Sequence, residues 1–351
     1  MTEIISQAQA VGFDLMVVVA GLGLFLFGIN AIGDELKVIA GSRLKTIVDK
    51  YTTNRFKGFM VGIVVTALIQ SSSATTTLVI SLIRSGLMTF SQSMAVTMGA
   101  NIGTTITAIM IGFNLSDIAP YAILIGAFVE LFSKNKKTVS YARLLIYFGI
   151  LFFGLDLMGD GLKVLSEMPI FEQFAVTLSH NKYYGVLLGI VMTMIIQSSS
   201  ATIGILQTLY AQGALSLNAS LPILLGNNIG TTITAVLAAI GGGIESKKTA
   251  FFHVLINVFG SVIFIVVLPL YSNSVAAVAS MLGLNKMMEL AFAHFMFNLI
   301  TSLILFPFLG QIEVLINKIL KPNASGEDEV GITTIFEKTV ITESPVLALD
   351  I

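Results

Sequence analysis

The stretch KGFMVGIVVTALIQSSSATTTLVISLIRSG, residues 57–86, decides the fold. It is apolar enough to enter a bilayer, yet QSSSATTT at 70–77 interrupts it. From Lys57 to Gln70 is about 13 residues, roughly 20 Å as helix, too short for a hydrocarbon core of roughly 30 Å. The stretch therefore predicts a re-entrant hairpin over about 57–90 with its polar tip at membrane depth. Irregular backbone is tolerated there only where it is buried in protein or lines a cavity. A second apolar stretch, about 183–216, is broken in the same way by QSSSAT at 197–202 and predicts a second hairpin.

Working outward, the whole chain repeats. QSSSAT at 70–75 returns at 197–202, and NIGTTITA at 101–108 returns at 228–235, both with an offset of 127. GLFLFGINAIGDELKVI at 23–39 matches GILFFGLDLMGDGLKVL at 149–165 with an offset of 126. Self-similarity at one spacing marks duplicated structure. The expected units are a first repeat over 1–145, a second over 146–310 with extra helices, and a cytoplasmic tail over 311–351.

The surroundings fit a membrane. The sequence is 55% hydrophobic and 11% charged, against about 25% charged in soluble domains. Full spans are expected near 11–33, 91–113, 117–133, 142–160, 218–240, 249–271 and 286–310. The first has neither a basic lead nor a small-residue cleavage site, so it reads as a retained helix. With the N-terminus outside, seven crossings place 15 of the 19 Lys and Arg in the cytoplasm, the usual positive-inside bias. Three crossings precede the second repeat, so it enters from the opposite side. The fold class expected is an all-α polytopic membrane protein of two inverted repeats, each with a re-entrant helical hairpin and a broken transmembrane helix. Inverted repeats meeting near the midplane belong to secondary transporters. Net charge near zero gives no reason to expect nucleic acid, and the absence of cysteine excludes disulfides and thiolate metal sites.

At each tip one helix ends in carbonyls and another begins in free N–H groups. The N–H groups around Ser72 and Ser73, and their repeats Ser199 and Ser200, offer a positive dipole end to an anion. Carbonyls from Thr66 onward, with the Gln70 amide and Ser71 hydroxyl, suit a hard cation such as sodium; Thr193, Gln197 and Ser198 repeat them. Thr104 and Thr107 share one helical face, as do Thr231 and Thr234, and would complete a sodium shell; the bland reading has them bonding back to their own helix. Glycines flanking Asn101 and Asn228 suggest a break in each of these helices. No Lys or Arg is expected at midplane depth, which favours an anion held by N–H and O–H donors and neutralised by sodium. His253 with Asn257 and His294 with Asn298 form two i,i+4 pairs, read as interhelical hydrogen bonding rather than a proton relay. Glu289 and Asp14 are placed near helix ends without a role. No nucleophile–base pair or metal cluster appears at depth, so an enzyme is not expected.

The paired QSSS motifs, each followed 31 residues later by the Asn of NIGT, resemble the type II sodium/phosphate cotransporter family over about residues 20–310. That resemblance implies symport of inorganic phosphate with sodium by alternating access, with no cofactor beyond sodium as the coupling ion. It implies phosphate contacts at Ser71, Ser72, Ser73, Asn101, Ser198, Ser199, Ser200 and Asn228. Sodium would lie among Gln70, Ser71, Thr66, Thr104, Thr107, Gln197, Ser198, Thr193, Thr231 and Thr234. Vertebrate members can carry an Arg before the first NIGT helix; Ser91 or Gln92 stands there. Bacterial relatives often continue into a PhoU-like domain, so the chain is expected to stop short of one. A bacterial plasma membrane is implied, with the C-terminus cytoplasmic, and a homodimer stays open. The competing readings are a sodium-coupled carrier of another oxyanion or a dicarboxylate, and a channel or membrane anchor for a signalling domain.

Overall fold

The computed structural model describes residues 15–40, 54–166 and 168–321. The expectations for Asp14, for the basic residues Arg43, Lys45 and Lys50, and for the tail beyond Lys321 lie outside them. Among the described residues every regular element is helical, with six helices or helix pairs long and apolar enough to cross a membrane. The protein is an all-α polytopic membrane protein.

Helix α1 (Leu15–Ala40) precedes the first hairpin, α2 (Arg55–Ile69) and α3 (Ser72–Arg84). Then come α4 (Phe90–Gly112), α5 (Ala119–Phe132), α6 (Lys136–Ser166) and α7 (Pro169–His180). The second hairpin is α8 (Lys182–Ile196) and α9 (Ser199–Ala211), followed by α10 (Leu217–Thr231) and α11 (Ile233–Ala239). The remainder is α12 (Ile244–Val266), α13 (Leu268–Leu282), α14 (Lys286–Leu305) and α15 (Leu309–Ile319).

Each hairpin reverses the chain, as the packing of its first arm on the next long helix demonstrates. Gly58 lies against Gln92 and Ala95, while Gly103 lies against Ile63 and Thr66, so α2 and α4 run parallel. Between them α3 must run back. The contact needs glycine: a Cβ on Gly62 would overlap the carbonyl of Val96, and one on Gly99 that of Phe59. The second repeat has the same pair, Gly189 against Ile223 and Gly226 against Val186. In lipid, small residues of this kind let backbones approach and replace the missing hydrophobic drive between helices. An Ala at any of the four forces overpacking, which costs about 1–3 kcal/mol.

Helices α1 and α6 carry the matching motifs of the two repeats, and they pack antiparallel. Val18 meets Gly161, Gly21 meets Met158, and Gly28 meets Leu151. The contact is reciprocal: Gly28 packs on Leu151, and its counterpart Gly154 packs on Phe25, the counterpart of Leu151.

Three expectations about spans need correction. The helix within segment 117–133 has only 14 residues, about 21 Å, after a 3-10 turn at Ser116–Ile118, shorter than the span expected, yet it still carries the chain back alongside α6. It runs antiparallel to α6, Gly126 on Ala142 and Gly149 on Ala119. The span expected over 249–271 ends at Val266, because Val267 leaves the helix and Pro269 opens α13. Finally, α4 is continuous through Asn101: its glycines serve the approach of α2, not a break. Only the second copy is broken, at Thr232 rather than at Asn228.

Candidate functional site

The two tips are built alike. Gln70 takes a left-handed conformation (φ 59°, ψ 22°) and Gln197 does the same (φ 54°, ψ 23°), each returning its N–H to the carbonyl four residues back, Thr66 or Thr193. A non-glycine residue there costs about 1–2 kcal/mol, so two identical outliers point to a functional constraint. The following serine is extended and caps the next helix: the Ser71 hydroxyl accepts from the Ala74 N–H at 3.1 Å, and Ser198 from Ala201 at 3.2 Å. By helix geometry the N–H groups of Ser72, Ser73, Ser199 and Ser200 have no intrahelical acceptor.

Both tips open on one cavity of about 220 Å³, lined by Gln70, Ser71 and Ser73 from one hairpin and Gln197, Ser198, Ser199 and Ser200 from the other. At about 30 Å³ per water, this holds roughly seven waters, ample for a tetrahedral oxyanion and a counter-ion. Two helix N-termini thus bring positive dipole ends to one space. Beside it lies a void of about 10 Å³, at the lower limit for admitting a single water, lined by Ser72, Asn101 and Thr104, their repeats Ser199, Asn228 and Thr231, and Asn257.

The remaining candidates support these walls from behind. Thr66 is fully buried and donates to Thr75 at 2.9 Å, and Thr193 donates to Asn227 at 2.8 Å. Neither lines a cavity named above. Thr107 donates to the Gln70 amide oxygen at 2.8 Å, fixing that amide at the tip. Thr234, its repeat, lies 3.0 Å from the Ser73 hydroxyl of the opposite hairpin and 2.9 Å from its own helix at Thr231. Thr104 and Thr231 bond back to Ala100 and Asn227 at 3.1 and 2.8 Å, the bland reading weighed for them.

Asn101 and Asn228 sit in matching frames. His253 Nε2 and Asn257 reach Asn101 at 3.1 Å each, and His294 Nε2 and Asn298 reach Asn228 at 3.3 and 3.4 Å. The i,i+4 pairs therefore bond between helices, and they orient the two asparagines. Glu289 accepts from the Tyr210 hydroxyl at 2.7 Å.

Sequence reasoning missed one wall. Asn30, Gly33, Asp34 and Lys37 of α1 line the larger cavity, with Gly33 so close that a Cβ would lie 2.9 Å from the Ile69 carbonyl. Lys37 pairs with Asp34 at 2.8 Å, so a basic side chain does border the site, correcting the expectation of N–H and O–H donors alone. The available signal was the spacing of Asn30, Asp34 and Lys37, one polar stripe along an apolar helix.

With this geometry stands a match to the Na+/Pi-cotransporter family over residues 24–160 and again over 156–289. The chain belongs to that family. The double match follows the same two halves as the repeated tips. Among curated relatives, the uncharacterized protein YqeW of Bacillus subtilis is 30% identical over 283 residues, 81% of this chain and 91% of its own. The putative inorganic phosphate export protein YjbB of Escherichia coli is 26% identical over 295 residues, 84% of this chain and 54% of its own. Sodium-dependent phosphate transport protein 2A of Rattus norvegicus is 35% identical over 109 residues, 29% of this chain and 17% of its own. The chain therefore spans nearly all of YqeW and about half of YjbB. No solved structure matches it.

Proposed function

We propose that the protein is a secondary transporter moving inorganic phosphate together with sodium by alternating access, through two inverted repeats over 1–145 and 146–310. The observation that carries this reading is the single cavity on which repeat-related tips present two helix N-termini and two left-handed glutamines. Phosphate binds the N–H groups of Ser72, Ser73, Ser199 and Ser200, with the hydroxyls of Ser71 and Ser198 and the framed amides Asn101 and Asn228 around it. Sodium takes the oxygens of Gln70 and Gln197 and the hydroxyls of Thr104, Thr107, Thr231 and Thr234, with Thr66 and Thr193 holding the tips from behind. The antiparallel, reciprocal packing of α1 on α6 supports the inversion. An N-terminus outside and a C-terminus inside a bacterial plasma membrane, with phosphate entering the cell, complete the reading. A homodimer is compatible with it.

Labelled phosphate accumulation in proteoliposomes tests the proposal. Uptake should be saturable and require an inward sodium gradient; sodium-independent flux would turn the reading toward a channel, and competition by sulfate or succinate toward another anion. A coupled carrier reverses with its gradients, and the name of the E. coli relative favours efflux as a second reading. Net efflux under an inward sodium gradient, with phosphate equal on both sides, would establish it in place of import. Gln70→Ala and Gln197→Ala should each weaken sodium activation, and unchanged activation curves would remove the cation role. For orientation, Cys introduced at Asn135 should react only from the cytoplasm and at Ser179 only from outside. Reaction of both from one side would break the inverted arrangement.

A further inference from the structure

At the far end of hairpin 2, one length of α8 or roughly 22 Å from its tip, lies a cavity of about 520 Å³, larger than the one between the tips. His180, Asn181, Lys182, Tyr183, Asn218 and Asn273 line it, and no carboxylate does. Three helices begin on it: α8 at Lys182, α10 at Leu217 and α13 at Leu268. Two helices also end there, α7 at His180 and α12 at Val266, so the partial charges of the helix ends offset one another and the lysine carries the charge of the site.

The repeat provides an internal control. Arg55 opens α2 just as Lys182 opens α8, 127 residues later. The Arg55 guanidinium is neutralised by Glu313 at 2.8 Å, and Ser91 donates to that same carboxylate at 2.9 Å. Lys182 is half-buried, its ammonium donating to the Ile265 carbonyl at 2.8 Å and lying 5.8 Å from the Tyr183 ring centre. No carboxylate among the described residues pairs with it. An ammonium has three N–H donors and here uses one, so a half-buried cation faces a polar cavity with no counter-charge.

We propose that this cavity is a second anion site, built for a tetrahedral phosphate group carried either by inorganic phosphate or by the headgroup of an anionic phospholipid. Lys182 supplies the charge, and His180 and the three asparagines supply directional donors. The site does not depend on the transport reading, because none of its residues lines the cavity between the tips.

The test uses the whole purified chain, wild type, Lys182→Gln, Lys182→Arg and Asn273→Leu. Asn273→Leu alters the cavity from another helix and leaves the bond from Lys182 to Ile265 intact. One arm measures labelled inorganic phosphate bound per chain. The other measures lipid retained in native mass spectra after reconstitution in phosphatidylcholine vesicles with and without phosphatidylglycerol. Lys182→Gln and Asn273→Leu should each weaken one of these two ligands about tenfold or more, with Lys182→Arg restoring it. Loss in the phosphate arm identifies the free ion, and loss in the lipid arm identifies the headgroup. Equal binding of both probes by wild type and Asn273→Leu, whatever the folding of the lysine variants, overturns the proposal. A central site that fails to bind phosphate would show instead as a loss untouched by any of these substitutions.

Discussion

Helices α3 and α9, the second arms of the two hairpins, have 13 residues each and begin on the same serine cap. By their last turns they have parted. At α9 the buried Gln207 donates to the carbonyls of Ala108 and Met287 at 3.0 and 2.9 Å, and Tyr210 donates to Glu289. These bonds fasten α9 to α4 and α14. The counterparts in α3, Ile80 and Ile83, make no hydrogen bonds with their side chains. Instead exposed Arg84 donates at 2.8 Å to the carbonyls of Ala238 and Ile240, at the end of the short helix α11. One hairpin is anchored inside the bundle, and the other is clipped at its edge to the half-helix beyond the break at Thr232. In the alternating-access cycle proposed above, this difference would keep hairpin 2 in place and make hairpin 1 the moving part.

The largest expected effect bears on the tips, where the hairpins are alike. Ser72 and Ser199 are the first residues of their helices, where proline is tolerated, and each follows an extended residue that a proline accepts. Ser72→Pro and Ser199→Pro should therefore preserve the fold while each deletes one N–H. A hydrogen bond to a charged group contributes about 1.5–3 kcal/mol, so phosphate affinity should fall roughly ten- to hundredfold. Ser199 lines both cavities and Ser72 only the smaller, so the loss should be greater at Ser199. Calorimetric titration with phosphate decides it, and wild-type affinity in both variants would remove the helix ends from the anion site.

Next in size is the anchor. Gln207→Ile gives α9 the residue α3 has at that place. It removes two bonds of about 1 kcal/mol each but also a buried amide oxygen that has no partner. A loss of about 1–2 kcal/mol in thermal or denaturant unfolding is expected, together with faster hydrogen exchange in α9. No change in either would mean that the unpaired oxygen cancels the two bonds, and the asymmetry between the hairpins would lose its main support.

Much of this was legible in the sequence because duplication fixes registers. Two copies of QSSSAT broke their apolar stretches at the same depth, and the structure turns at Gln70 and Gln197 in the same left-handed conformation. The two His-Asn pairs were readable as interhelical hydrogen bonding, but not the asparagines they reach, Asn101 and Asn228. The errors have physical causes. Gly99 and Gly103 read as a helix break, but a glycine that admits a neighbouring backbone is indistinguishable in sequence from one that ends a helix. Asn30, Asp34 and Lys37 were assigned to a membrane span and its cytoplasmic flank because hydropathy averages over a helix and hides its faces. The difference between hairpins lay in Gln207 and Arg84, single residues outside the repeated motifs, whose meaning depends on which carbonyls they reach.

The smallest expected effect tests the clip itself. Arg84 lies at the end of α3 and places its charge on the last carbonyls of α11, which have no acceptor role within that helix. A cation at a helix C-terminus contributes about 0.3–1 kcal/mol where it is solvent-exposed, which corresponds to roughly a two- to fivefold change in an opening equilibrium. Arg84→Gln keeps a donor but removes the charge. Hydrogen exchange in α3 should then quicken by about that factor, while α9, fastened by Gln207 and Tyr210, should exchange as before. Already in the wild type, α3 should exchange faster than α9. The measurement needs no ligand, so it reads the resting difference between the hairpins, independent of what they carry. Equal protection of the two arms, unmoved by Arg84→Gln, would mean that neither hairpin is the looser, and that both swing together about the reciprocal contact of α1 and α6.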